Sequence, residues 1–164
     1  MTATSPIDEV VDLLRQLRLP HMRRHAPDVL ATAKAQRWEP AEAVRALLAE
    51  EIAGLEAEIY RLAGERFNIQ SPQQLGTILF DKLKLPAGKK TKKTKSYSTG
   101  AETLEELAAA GHELPQYLLR YRELSKLKST YVDALPQILG GAARIHTRFQ
   151  QAVAATGRLS SVNP

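Results

Sequence analysis

The chain has 164 residues, of which 43% are hydrophobic, carries a net charge of +5 and contains no cysteine. That length holds one domain, or one with a small appendage, and the lack of cysteine excludes disulfides and thiolate metal sites and fits a reducing cytosol. No apolar run approaches a membrane span and no signal-peptide core leads the chain, so a soluble, cytoplasmic protein is expected.

Val10, Val11, Leu13, Leu14 and Leu17 predict a first short helix, which Pro20 interrupts after Leu19. A second follows through Leu30 and Ala33, with Pro27 expected to break or restart it. Pro40, with Glu42 in the opening turn, starts a long helix to about Arg66. Its Leu48, Ile52, Leu55, Ile59 and Leu62 are spaced 4, 3, 4, 3, a coiled-coil seam that needs a partner. Ser71-Pro72 starts a short helix faced by Leu75, Ile78, Leu79 and Leu83, which Pro86 to Gly88 end.

Seven lysines then lie between Lys82 and Lys95 with no acid among them, a run that stays solvated and suits an acidic partner. Ser98-Thr99 should cap the next short helix, with Glu102 in capping-box register and Leu104 and Leu107 facing inward, closed by Gly111. Pro115 opens a second long helix to about Leu139, with Tyr117, Tyr121, Leu124, Tyr131, Leu135 and Ile138 on one row. It is the obvious antiparallel partner for the first seam. Pro136 should loosen its last turn and Gly140-Gly141 end it. Arg144 to Phe149 alternates polar and apolar, as a short strand would.

The expected fold is therefore mainly all-α: an antiparallel pair of long helices with short helices at the tip and a short β segment near the C-terminus. The final stretch is the most informative chemically. No carboxylate follows Asp133, and cationic, hydroxyl and amide side chains alternate from there to Pro164, which suits phosphate oxygens and base edges.

KLKSTY (Lys126 to Tyr131), RIHTRF (Arg144 to Phe149) and TGRLSS (Thr156 to Ser161), in this order and spacing, resemble the DNA polymerase I family, family A. The likeness runs from about Leu55 to Pro164 and covers the meeting of thumb and palm. It implies a helical thumb gripping primer–template duplex on its minor-groove side. Ser98 and Thr99 would meet phosphate at a helix N-terminus. Lys89, Lys90, Lys92, Lys93 and Lys95 would form a basic tip. Arg122, Lys126, Lys128, Ser129 and Thr130 would follow the duplex backbone. Gln151, Thr156 and Arg158 would lie near the primer end, Arg158 reaching minor-groove acceptors that are nearly the same for every base pair. Departures are a longer tip, KKTKKTKSYST, and Ala154 in place of the family's usual Thr.

The family's metal-binding carboxylates and nucleotide-binding helix would lie beyond Pro164. Magnesium would belong there, so this chain is expected to hold no cofactor and no catalytic residue, and to be inactive alone. Its own acids agree: Glu50-Glu51 and Glu105-Glu106 are adjacent pairs read as solvated helix faces, whereas two-metal chemistry needs converging carboxylates. His21 and His25 are four apart but lack a third ligand, so no metal is expected there.

Leu14 to Gly54, LRQLRLPHMRRHAPDVLATAKAQRWEPAEAVRALLAEEIAG, resembles the N-terminal helical region of IstB-type helper ATPases of insertion-sequence transposition. That family's GxxxxGK[ST] loop is not present, so ATP hydrolysis is not implied. Three regions are expected: a helical head (1–50), a thumb-like domain (51–143) with its tip loop at 84–97, and the start of a palm (144–164). The expected partner is double-stranded primer–template DNA; the alternative is a helical interaction module that docks on another protein or on itself through the head. No membrane is involved in either.

Overall fold

The computed structural model describes residues 5–86, 97–138, 144, 147–150, 153 and 156–162. It forms two compact units, Met1–Ser125 and Lys126–Pro164. Helix dominates, as expected, and no helix among the described residues is long and apolar enough to cross a membrane.

The first unit holds α1 (Pro6–Gln16), α2 (Pro20–Gln36), α3 (Pro40–Ala63), α4 (Pro72–Gly76), α5 (Ala101–Ala109) and most of α6 (Glu113–Leu127). The first four all begin on proline, whose fixed φ and missing N–H suit the opening turn. Local caps finish three of these starts. Ser5 Oγ accepts from the Ile7 N–H, Ser71 Oγ from Gln74, and Glu42 Oε2 from Glu39 at 2.9 Å.

The α2 start is different. Its N-cap is Leu19, which offers no acceptor, and the Met22 N–H instead donates to Glu51 Oε2 on α3 at 2.7 Å. Glu51 is 1% exposed. A carboxylate at a helix N-terminus also meets the positive end of the macrodipole. The reading of Glu51 as a solvated face is thus corrected: its position three residues after Leu48 and four before Leu55 puts it on the buried side of α3. His21 packs beside it, and a Cβ on Gly54 would overlap the His21 ring.

Pro27 does not break α2, which runs through it to Gln36. The proline is exposed and follows the wholly buried Ala26, so the unpaired carbonyl it leaves falls on the wet side of the helix.

The core of this unit encloses Ile59, Leu75, Leu79, Leu104 and Leu118 completely, from α3, α4 and its extension, α5 and α6. Each contributes about 1.5–3 kcal/mol relative to exposure. Leu104 and Leu107 face inward as expected. α4 widens into a π-helical stretch, Thr77–Lys82, that buries Ile78, Leu79 and Phe80.

Tyr121 on α6 donates to Glu56 on α3 at 3.1 Å. Burial pushes the Tyr121 phenol above its ordinary pKa. The coiled-coil seam does not form as expected. The buried row on α3 is Leu48, Glu51, Leu55, Ile59 and Ala63, spaced 3, 4, 4, 4, with Ile52 and Leu62 half-buried. On α6 it is Leu114, Leu118, Tyr121 and Leu124, with Tyr117 half-buried. α3 also packs against α2, so its contact surface drifts around a straight helix instead of holding a 3.5-residue period.

In the second unit the helix continues as a π-helical stretch, Lys128–Asp133, and a 3-10 turn, Leu135–Ile138. Pro136 cannot donate to the ladder, which accounts for the change of form at the end. Tyr131 and Ile138, placed on the buried row by their spacing, are 50% and 40% exposed. A two-stranded antiparallel sheet follows, β1 (Arg148–Gln150) with β2 (Ser160–Val162), Phe149 opposite Ser161. The strand thus starts later than the expected Arg144, and it pairs with the TGRLSS segment. Gly140-Gly141 lie outside the described residues.

Candidate nucleic-acid interface

The expected phosphate contacts fall into three local groups. The first precedes α5. Its N-cap is Gly100, not Ser98 or Thr99, and the cap position supplies no side-chain bond. Ser98 Oγ instead accepts from the Gly100 N–H at 3.5 Å and from the Thr103 hydroxyl at 3.3 Å. The local sequence misled here because two hydroxyl residues, Ser98 and Thr99, both suit one cap, and the glycine that follows takes the position itself. Thr99 is 7% exposed, and its carbonyl accepts from Arg122 Nη1 at 2.7 Å. Burial lowers the Arg122 pKa from its usual range. Arg122 therefore pins the 98–100 loop to α6.

The second group lies along Lys126 to Thr130. Lys126 is exposed, as are Ser129 and Thr130, and the Ser129 hydroxyl donates to the Lys126 carbonyl at 3.4 Å. Lys128 Nζ is 2.8 Å from Asp133 Oδ2, a pair about 30% exposed on each side. The third group sits on the turn before β2, where Gly157 takes a φ of 72° and leaves Thr156 and Arg158 exposed on either side. Lys89, Lys90, Lys92, Lys93, Lys95 and Gln151 lie outside the described residues. Among the described residues, no three His, Asp or Glu side chains converge on a point that could hold a metal ion.

Sequence reasoning missed Asp133 as the partner of Lys128, because residues five apart lie on different faces of an α-helix and only the π-helical stretch Lys128–Asp133 brings them together. It also missed that Arg122 faces inward. Only its position one residue after the buried Tyr121 hinted at that.

The profile of DNA polymerase family A matches residues 39–164. This chain belongs to DNA polymerase family A. It is 51% identical over 124 residues to DNA polymerase I of Geobacillus stearothermophilus, a stretch covering 75% of this chain and 14% of that protein. It is 55% identical over 118 residues to the thermostable DNA polymerase I of Thermus aquaticus, covering 71% of this chain and 14% of that protein. The polymerase domain of Pol1 from M. smegmatis, solved in complex with DNA primer–template and dNTP, superposes with a TM-score of 0.68 at 41% identity, over 76% of this chain and 22% of that one.

The chain thus spans about one seventh of the curated relatives it matches. The family region opens one residue before α3, at 39 rather than at Leu55, inside the stretch compared with IstB-type proteins. α1 and α2 lie before it.

Proposed function

We propose that residues 51–143 act as a thumb of a family A polymerase and hold primer–template duplex, with 144–164 opening the palm and 1–50 forming a helical head. The observation that carries this reading is the family match, which runs unbroken through all three groups of cationic and hydroxyl residues. A solved relative of the same fold contains primer–template DNA, which supports the same partner here.

In this reading Lys126, Ser129, Thr130, Thr156 and Arg158 offer exposed donors to phosphate or base edges. Lys89, Lys90, Lys92, Lys93 and Lys95 supply a basic tip, and Gln151 lies near the primer end. Ser98 and Thr99 act through the backbone of the loop that Arg122 pins. Lys128 reaches phosphate only by exchanging Asp133 for it, which keeps its position set before DNA arrives. In this reading the chain contributes grip and positioning of the duplex.

Titrating the full chain into labelled primer–template at rising salt tests the reading. About five phosphate contacts give a log–log slope near −4 to −5. A flat response, or no binding at low salt, overturns it.

A further inference from the structure

We infer that the corner between α1 and α2 is a second phosphate-binding surface for duplex DNA, carried by Arg18, Arg23 and Arg24, outside the family region. The inference rests on the reading of the chain as a duplex binder. Between Asp12 and Asp28 the sequence has four arginines, two histidines and no carboxylate. The fold gathers this charge. Arg18 takes a left-handed φ of 55° that turns the chain from α1 into α2. As a result Arg15 and Arg18 before the corner and Arg23 after it flank one open, almost wholly apolar concavity of about 230 Å³ shared with Leu14, Leu19 and Pro20, which brings these side chains to one corner of the surface. Among the described residues no acidic side chain lines it, while Arg18 also borders a second hollow with Glu51 and Glu113.

The members are not equivalent. Arg15 is held by Asp12 at 2.6 Å. Arg18, Arg23 and Arg24 are exposed, and among the described residues their side chains make no hydrogen bond or ion pair. This sets them apart from Arg61, Arg120, Arg122, Lys82 and Lys128, each of which has a protein acceptor. A left-handed backbone costs a non-glycine residue about 1–2 kcal/mol, and glycine would turn this corner without strain. Arginine at this corner, like Arg37 and Lys84 at the other two left-handed positions, is an exposed cation.

The α2 N-terminus is not the source of attraction, because its Met22 N–H is already taken by Glu51. The guanidinium groups are. Their planar forks match phosphate oxygens two at a time, and they are weakly hydrated, which favours phosphate over a point contact with a single carboxylate.

The test compares the wild-type chain with an Arg18→Asn/Arg23→Gln/Arg24→Gln variant on labelled primer–template duplex between about 50 and 200 mM salt. Asn tolerates the left-handed conformation at 18, and the other two positions are exposed on a helix, so the melting temperature should hold. The expected result is a salt slope shallower by about 2–3, near 1 per lost phosphate contact, with affinity at low salt reduced roughly tenfold or more. Arg23→Lys/Arg24→Lys should keep its slope. Unchanged slope and affinity in the triple variant overturn this inference, leave the surface to a partner such as an acidic protein, and leave the thumb reading standing. A slope lost equally in the Lys and Gln variants also overturns it. A wild-type chain that ignores duplex overturns both readings.

Discussion

α2 and α5 both start without a capping side chain at the N-cap position, and they resolve it in opposite ways. α2 begins at Leu19-Pro20 and borrows a carboxylate, Glu51, from the middle of α3. α5 begins at Gly100 and relies on its own neighbourhood, with Ser98 taking the Gly100 N–H and Arg122 bracing the Thr99 carbonyl from α6. The first arrangement is buried and joins α2 to α3. The second is half-open and leaves the loop between short hydrogen bonds and solvent. A buried carboxylate from α3 makes the head's helix depend on the family region, whereas the α5 start is held by Ser98 beside it and by Arg122 from α6.

The largest expected effect is on the buried side. Glu51→Ala should strand the Met22 N–H and leave a cavity, at about 2–4 kcal/mol. That corresponds to a melting temperature lower by about 5–15 °C in a calorimetric scan. Glu51→Gln, which keeps an acceptor, should lose less than half as much. Equal losses in the two variants would show that the hydrogen bond is not what seats α2.

Gly54→Ala sharpens the same half of the comparison. Alanine gains up to about 1 kcal/mol of helix propensity, but its Cβ overlaps the His21 ring, and overpacking costs about 1–3 kcal/mol. The net should be a loss of about 1–2 kcal/mol in urea unfolding. Adding His21→Ala should recover most of it, and a double variant no better than Gly54→Ala would rule out the contact as the cause.

Arg122→Ala should have the smallest global effect, about 1–1.5 kcal/mol for one charged donor withdrawn from a carbonyl. Its signature is local: amide exchange should quicken across residues 98–103 and stay unchanged in α2. Quickening in α2 would mean that the two starts are coupled after all.

Much of this fold is legible without coordinates. Pro40 and Pro72 place two helix starts and Pro20 marks the break between the first two helices, because a fixed φ and a missing N–H are properties of the residue alone. Leu104 and Leu107, three apart on α5, share its buried face as their spacing indicates. Pro136 marks the change of helix form, and the motif series at Lys126, Arg144 and Thr156 carries the family. The seam on α3 was not legible. A 4-3-4-3 pattern specifies a face only if one partner covers it, and α3 is covered by α2 as well as facing α6.

Sequence by itself determined that the chain is helical, basic, cysteine-free and of family A, since periodicity, composition and ordered motifs need no partner to be read. Tertiary structure alone decided that Glu51 is a buried cap, that Pro27 rides inside a helix, that Arg122 turns inward while Arg18 and Arg23 stand free. The reason is common to all four. Whether a charged or ring side chain meets water, a backbone group or a carboxylate depends on what packs beside it from a distant part of the chain, and desolvation and hydrogen bonding give that neighbour the final say.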